Sequence, residues 1–215
     1  MTYTIVIGDK AASSWSMRPW LVLDHFGFEY EEVVVQLDQP ETRPTILTYS
    51  PAGKVPVLID RSFAVWDSLA IIEYLAETRP DAAIWPEAPQ ERALARALAA
   101  EMHSGYAALR ASCPMNLTAS RTLRRRGGAP AQREVDRFEA MVRDRAMRSE
   151  GTFLFGEWCA VDAMYAPLTS RLTTYGWPME EATRRYVDAV QGERSYRRWL
   201  EAAREGASHG AAHAA

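Results

Sequence analysis

Ser50-Pro51-Ala52-Gly53-Lys54-Val55-Pro56-Val57-Leu58-Ile59-Asp60 decides the fold: a polar turn runs straight into an apolar strand, with a second proline at the junction. Proline cannot donate to a sheet ladder, so Pro56 opens the strand or sits on an edge. Two conformations of the Val55–Pro56 bond stay open at this level. A trans bond is an ordinary strand start; a cis bond would turn the backbone N–H and C=O of Val55 outward as a docking edge for an extended peptide. The strand leads into Phe63-Ala64-Val65-Trp66-Asp67-Ser68, and Leu69, Ile72 and Leu75 then follow at helical spacing. A helix beginning at Asp67-Ser68 offers unpaired N–H groups and a positive dipole end, which suit a carboxylate. Plain helix capping by Asp67 and Ser68, and a solvated turn charge at Lys54, are the structural alternatives.

Upstream, residues 3–7 alternate and are β-branched, which predicts a strand. Ser13-Ser14-Trp15-Ser16 precede a helical pattern that stops at Gly27. Pro19 is tolerable only in a first turn, which places the helix start near Ser16. Tyr30–Leu37 predicts a second strand, and residues 41–49 a short helix. Residues 1–80 therefore form an α/β unit. Pro80, Pro86 and Pro89 mark a linker over 81–89, and beyond it strand signals vanish. Leu94, Leu98, Met102, Tyr106 and Leu109 line one stripe of a single helix over 90–111 that Pro114 ends. Further helices over 131–149, 162–172, 179–190 and 193–204 make residues 90–204 all-helical, and the small, polar segment 205–215 reads as a disordered tail.

The totals narrow the function. The chain has 215 residues, 47% apolar and 25% charged, with a net charge of −3, so no global pull toward nucleic acid or an anionic membrane is expected. The basic run Arg121-Thr122-Leu123-Arg124-Arg125-Arg126 lacks aromatic interleaving and reads as a solvated loop. No apolar run approaches the ~20 residues that span a bilayer, and Met1-Thr2-Tyr3 lacks a signal-peptide pattern, so a cytoplasmic location is expected. Four histidines, two of them in the tail, suggest no metal site. Cys113 and Cys159 are the only thiols, and a reducing compartment is the default.

The order of proline turn, strand, hairpin and Asp67-Ser68 helix start resembles the glutathione-binding half of the soluble glutathione transferases, and the α/β unit is similar to the thioredoxin-like fold. Ser13-Ser14-Trp15-Ser16-Met17-Arg18 resembles the serine segment of the zeta and tau classes, although Pro19-Trp20 departs from their usual pair. The resemblance implies a cis Val55–Pro56 bond, with Val55 pairing the cysteinyl part of glutathione, Ser68 the γ-glutamyl carboxylate, Asp67 its ammonium and Lys54 the glycyl carboxylate. It also places the catalytic serine at Ser13, with Ser14 and Ser16 in reserve. A cysteine at that loop would mean thiol-transfer chemistry, but none precedes residue 113. A serine can instead donate its O–H to the glutathione thiolate and lower its pKa. Turn and N-cap roles for the three serines remain the structural alternative.

Further implications are a homodimer, glutathione as co-substrate, no metal, and an electrophile pocket near Met102, Tyr106 and Arg110. Met102 and Tyr106 also fit core packing, and His103 a partnered helix residue. Gly156-Glu157-Trp158-Cys159-Ala160-Val161-Asp162 resembles the family's helix-capping motif, weakened because a thiol occupies the cap. Three activities compete: conjugation of a small apolar electrophile, glutathione-dependent cis–trans isomerisation of a maleyl-type diacid (which Arg18 or Arg110 would suit), and non-catalytic binding.

Overall fold

The computed structural model describes residues 2–123 and 127–212, with side chains as far as 206. Arg124, Arg125 and Arg126, part of the basic run, lie outside the described residues. The first unit is a four-stranded sheet in the order β2-β1-β3-β4. Strand β1 (Thr2–Gly8) runs parallel to β2 (Glu29–Val35) and antiparallel to β3 (Val57–Asp60), which pairs antiparallel with β4 (Phe63–Trp66). Parallel neighbours need a crossover, here helix α1 (Ser14–His25). Alternation along β1 sorts its side chains by face. Ile5 and Ile7 join the main core with α1 and helix α3 (Ser68–Thr78), while Val6 meets Val35, Val57 and Ile46 of helix α2 (Thr42–Leu47) on the other face.

The rest is helical: α4 (Pro89–Ser104), α5 (Ala107–Ser112), α6 (Gly128–Arg148), α7 (Ala160–Thr174), α8 (Glu181–Gly192) and α9 (Arg194–Ala212). This is a thioredoxin-like unit followed by a mostly helical remainder. Helix α7 is buried nearly all round and packs against α1, α4 and α8, so it holds the two parts together. Its interior hydroxyls are satisfied locally: Thr169 donates to the Ala166 carbonyl and Ser170 to that of Pro167, both at 2.8 Å.

Three expectations are corrected. Helix α1 starts at Ser14, because Ser13 N–H bonds Asp9 O at 2.9 Å and Met17 N–H bonds Ser13 O at 3.2 Å; Pro19 therefore sits in the second turn and leaves the Trp15 carbonyl without its helical donor. The single helix over 90–111 is two. Gly105 takes an extended conformation, a Cβ there would meet Glu101 O at 2.7 Å, and Tyr106 turns left-handed at φ 57 before α5 begins. The segment assigned to a tail is helical as far as Ala212, consistent with its high alanine content.

Asp162 anchors the start of α7. Its carboxylate accepts from Cys159 N–H at 2.9 Å, Leu154 N–H at 3.3 Å and the Tyr186 hydroxyl at 3.0 Å. The Cys159 sulfur faces the Asp162 N–H, so both halves of a capping box are present. Burial pushes this carboxyl up to about 6 against the donors around it. Asp162→Ala orphans three buried donors and is expected to cost about 3 kcal/mol or more, measured by equilibrium urea unfolding.

Glu193 begins α9, accepting from Ser195 N–H at 2.6 Å and facing His25 Nδ1 at 3.0 Å. Burial pushes its carboxyl up, but the hydrogen bonds from His25 and Ser195 outweigh that and hold it at about 2. A depressed acid stabilises the fold above its unfolded pKa, so this contribution is present at neutral pH and is lost as pH falls from about 4.5 toward 2. Glu193→Gln is expected to flatten that acid limb, read from unfolding midpoints across the range.

Candidate functional site

Two loops meet beside the N-terminus of α3. The first carries the turn Ser50–Gly53, in which Ser50 Oγ accepts from Ala52 N–H at 3.2 Å and Gly53 adopts φ +60. The Val55–Pro56 bond is cis, and the ladder starts only at Val57, leaving Val55 outside it. The second loop is the β4–α3 junction, where Asp67 sits at φ 78 and its Oδ1 accepts from Leu69 and Ala70 N–H at 2.9 and 3.2 Å. Between the loops lies a cavity of about 260 Å³, near the ~300 Å³ lower end for ligand clefts. Lys54, Val55, Pro56, Asp67 and Ser68 line it with Ala52, Trp15 and Trp66.

The residues differ in how they are engaged. Ser68 is buried at 1% exposure, and its Oγ has no hydrogen-bond partner. A buried hydroxyl is costly to leave unpaired, and this one stands at the positive end of α3. Asp67 is already in use: Oδ1 caps the helix and Oδ2 lies 3.3 Å from His103 Nε2. A ligand ammonium at Asp67 would share that oxygen with the imidazole. Lys54 is exposed at the rim.

Ser13, Ser14 and Ser16 are all buried at the end of β1. Ser13 Oγ lies 2.7 Å from Ser16 Oγ, which also accepts from Gly8 N–H at 3.1 Å. Ser16 therefore braces the loop, and Ser13 is the outer hydroxyl of the pair. None of the three lines the cavity; Trp15 between them does.

Of the expected electrophile residues, Met102 and Tyr106 lie in the core at 1% and 5% exposure and do not line this cavity. Burial pushes the Tyr106 phenol up to about 12, and it packs edge-on to Tyr165. Arg110 does reach the area, with its guanidinium 5.1 Å from the Trp15 ring centre. Sequence reading gave Trp15 and Trp66 no role and did not foresee the Asp67–His103 pair, which joins residues far apart in the chain. Among the described residues no three of His, Cys, Asp and Glu converge as metal ligands would, and no helix is long and apolar enough to cross a membrane.

Residues 12–78 match the model of the glutathione S-transferase N-terminal domain. A probable maleylacetoacetate isomerase of Caenorhabditis elegans is 38% identical over 96 residues, 45% of this chain and 44% of that protein. A maleylacetoacetate isomerase of Rhizobium meliloti (strain 1021) is 40% identical over 99 residues, 46% of each. The chain spans about half the length of the curated relatives it matches. Among solved structures, a glutathione transferase homolog from Burkholderia with bound glutathione is 27% identical, covers 95% of this chain and 99% of its own, and superposes with a TM-score of 0.73. Poplar glutathione transferase F1, at 17% identity and TM-score 0.73, shares the fold. The sheet order, the cis Val55–Pro56 turn beside Asp67-Ser68 and the family match over the same loops lead to one conclusion: residues 12–78 are similar to the glutathione S-transferase N-terminal domain, and the chain shares the fold of solved glutathione transferases.

Proposed function

We propose that the chain binds glutathione in the cavity between Val55 and Ser68 and activates its thiol through the Ser13 hydroxyl for attack on a small electrophile. The observation that carries the binding half is Ser68 Oγ, buried and without a partner at the N-terminus of α3, in one cavity with the free edge of Val55. A γ-glutamyl carboxylate would satisfy it together with the helix N–H groups. Asp67 would take the ammonium beside His103, and Lys54 the glycyl carboxylate. The glutathione-bound Burkholderia homolog, similar over nearly its whole length, supports this assignment.

The catalytic half rests on the paired hydroxyls. Ser13 donates to Ser16, which also accepts from Gly8 N–H; a bound thiolate, a stronger acceptor than a hydroxyl, would draw the Ser13 proton to itself. A free thiol titrates near ~8.5; a charge-assisted hydrogen bond stabilises the thiolate and raises its fraction at neutral pH. Ser13 is then a donor to the nucleophile and never itself attacks. We take the protein to act in the cytoplasm as a homodimer, which the exposed Phe63, Trp66 and Leu94 side chains would help to form.

A second reading, glutathione-dependent cis–trans isomerisation of a maleyl-type diacid, is supported by the relatives that carry that activity in their names. There the thiolate adds to the double bond, the single bond so formed rotates, and glutathione leaves unchanged. Turnover of such a diacid without consumption of glutathione separates the two readings.

Glutathione titration at neutral pH, followed by thiolate absorbance, tests the core of the proposal. Ser68→Ala is expected to weaken glutathione binding about tenfold. Ser13→Ala is expected to keep binding but to lose the thiolate signal and about 10- to 100-fold in kcat/KM, the worth of one charge-assisted hydrogen bond. Ser16→Ala should show a smaller loss of the same kind. Absence of saturable glutathione binding would sink the proposal.

A further inference from the structure

A cavity of about 530 Å³ opens where the linker after α3 passes the C-terminal end of α6 and the start of α7. Its volume lies inside the ~300–1,000 Å³ range of small-molecule clefts, and it shares no lining residue with the cavity beside Ser68. Backbone contacts pin its walls. Ala160 N–H bonds the Ile84 carbonyl at 2.8 Å, and Arg92 Nη1 reaches the carbonyls of Pro86 and Glu87 at 3.3 and 2.8 Å. Across from the linker, the turn that carries Glu150 and Phe155 is closed tightly, since a Cβ at Gly151 would meet Gly156 O at 2.5 Å. The cavity is therefore built into the fold.

Its lining combines aromatic faces with unbalanced negative charge. Trp85, Phe155 and Trp158 supply apolar walls, and Glu87, Glu91, Glu150 and Glu157 supply four carboxylates. His25 stacks on Trp158 at 4.0 Å and steadies that ring. The two guanidiniums in the lining are already committed. Arg145 bonds Glu91 at 2.6 Å and the Leu154 carbonyl at 2.8 Å, and it lies 4.2 Å from the Phe155 ring centre. Arg148 pairs with Asp144 at 2.7 Å. Arg96, 5.6 Å from the Trp85 ring centre, is spent on Glu73. Among the described residues, no ion pair engages Glu87, Glu150 or Glu157. A cation brought between these carboxylates and the rings gains from both.

Trp85 adds a second requirement. It is buried at 6% exposure, and its indole Nε1 has no acceptor. A buried tryptophan N–H usually finds a partner, and leaving one unpaired is costly. Cys159 belongs to the wall and is no nucleophile, because burial pushes its thiol well up.

We propose that this cavity is a second ligand site, taking a small aromatic amine as its ammonium, with an oxygen acceptor at the far end of the molecule. The ammonium would meet Glu150 and Glu157, the ring would lie against Phe155 and Trp158, and the oxygen would accept from the Trp85 N–H. The site stands apart from the glutathione reading and does not depend on it.

Tyramine is the probe, with 4-ethylphenol lacking the ammonium and phenethylamine lacking the oxygen, each titrated calorimetrically at neutral pH and low salt. Wild type is expected to bind one tyramine saturably, with or without saturating glutathione, and to bind 4-ethylphenol at least about tenfold more weakly. Phenethylamine should bind about three- to tenfold more weakly than tyramine, the worth of one hydrogen bond. Tyramine affinity should also fall as salt rises. Glu150→Gln combined with Glu157→Gln is expected to cut tyramine affinity about tenfold and to leave 4-ethylphenol unchanged. Trp85→Phe should bind tyramine and phenethylamine equally; if that variant fails to fold, the glutamate variant decides. No saturable heat from tyramine, equal binding of 4-ethylphenol, or unaltered affinity in the glutamate variant would overturn the site. Displacement of tyramine by glutathione would overturn it too, since the amine would then sit beside Ser68. Glutathione affinity, measured alone, reports on the earlier reading.

Discussion

The Lys10 ammonium holds the serine loop in place. It lies 4.6 Å from the Trp20 ring centre and 5.2 Å from that of Trp199, and it pairs with Glu32 at 2.7 Å. Trp20 and Trp199 pack edge-on at 5.1 Å, and the Trp199 indole N–H returns to the Lys10 carbonyl at 2.8 Å. Trp20 closes the ring by donating to Glu32 at 2.6 Å. A cation between two aromatic faces is worth ~2 kcal/mol or more where water is excluded, and the Lys10 side chain is only 11% exposed. The clamp joins α1, β2 and α9 around the segment that carries Ser13. The first unit thus borrows part of its site geometry from the last helix of the chain.

A second tie has the same effect. Leu117 N–H bonds the Ala11 carbonyl at 3.0 Å, and Arg194 Nη2 bonds the Asp24 carbonyl at 3.1 Å. The serine loop is therefore gripped from the sheet side, from the segment after α5 and from α9. The role proposed for Ser13 would need that fixity, because small displacements of a positioned group carry large rate costs.

What the sequence made legible was local chemistry. Pro56 at a strand start, Gly53 in a turn and Asp67 ahead of Ser68 each act through their own backbone, so a short window was enough to locate the cavity. Arg18, His103 and Trp15 could not be read that way. Arg18 sits in a helical stretch where an arginine ordinarily points to solvent, and it is buried because α1 packs against α7, far along the chain. His103 meets Asp67 only because α4 packs beside α3. The break at Gly105 was visible in principle, since a lone glycine in a helical pattern lowers its stability, but the apolar stripe on both sides masked it. Pro19 misled in the opposite direction: its steric rule is real, yet the packing of α1 against α7 keeps the helix running through it.

The arginines add an electrostatic argument about the thiolate itself. A buried charge acts over distance with little screening, and the Arg18 and Arg110 guanidiniums lie 4.3 and 5.1 Å from the Trp15 ring centre, two residues along the same loop from the Ser13 hydroxyl. Their field favours negative charge anywhere in the cleft, on sulfur as much as on a carboxylate. The hydrogen bond proposed for Ser13 and the longer-range field of Arg18 would pull in the same direction. On the proposed reading, Ser13 does not stabilise the thiolate alone.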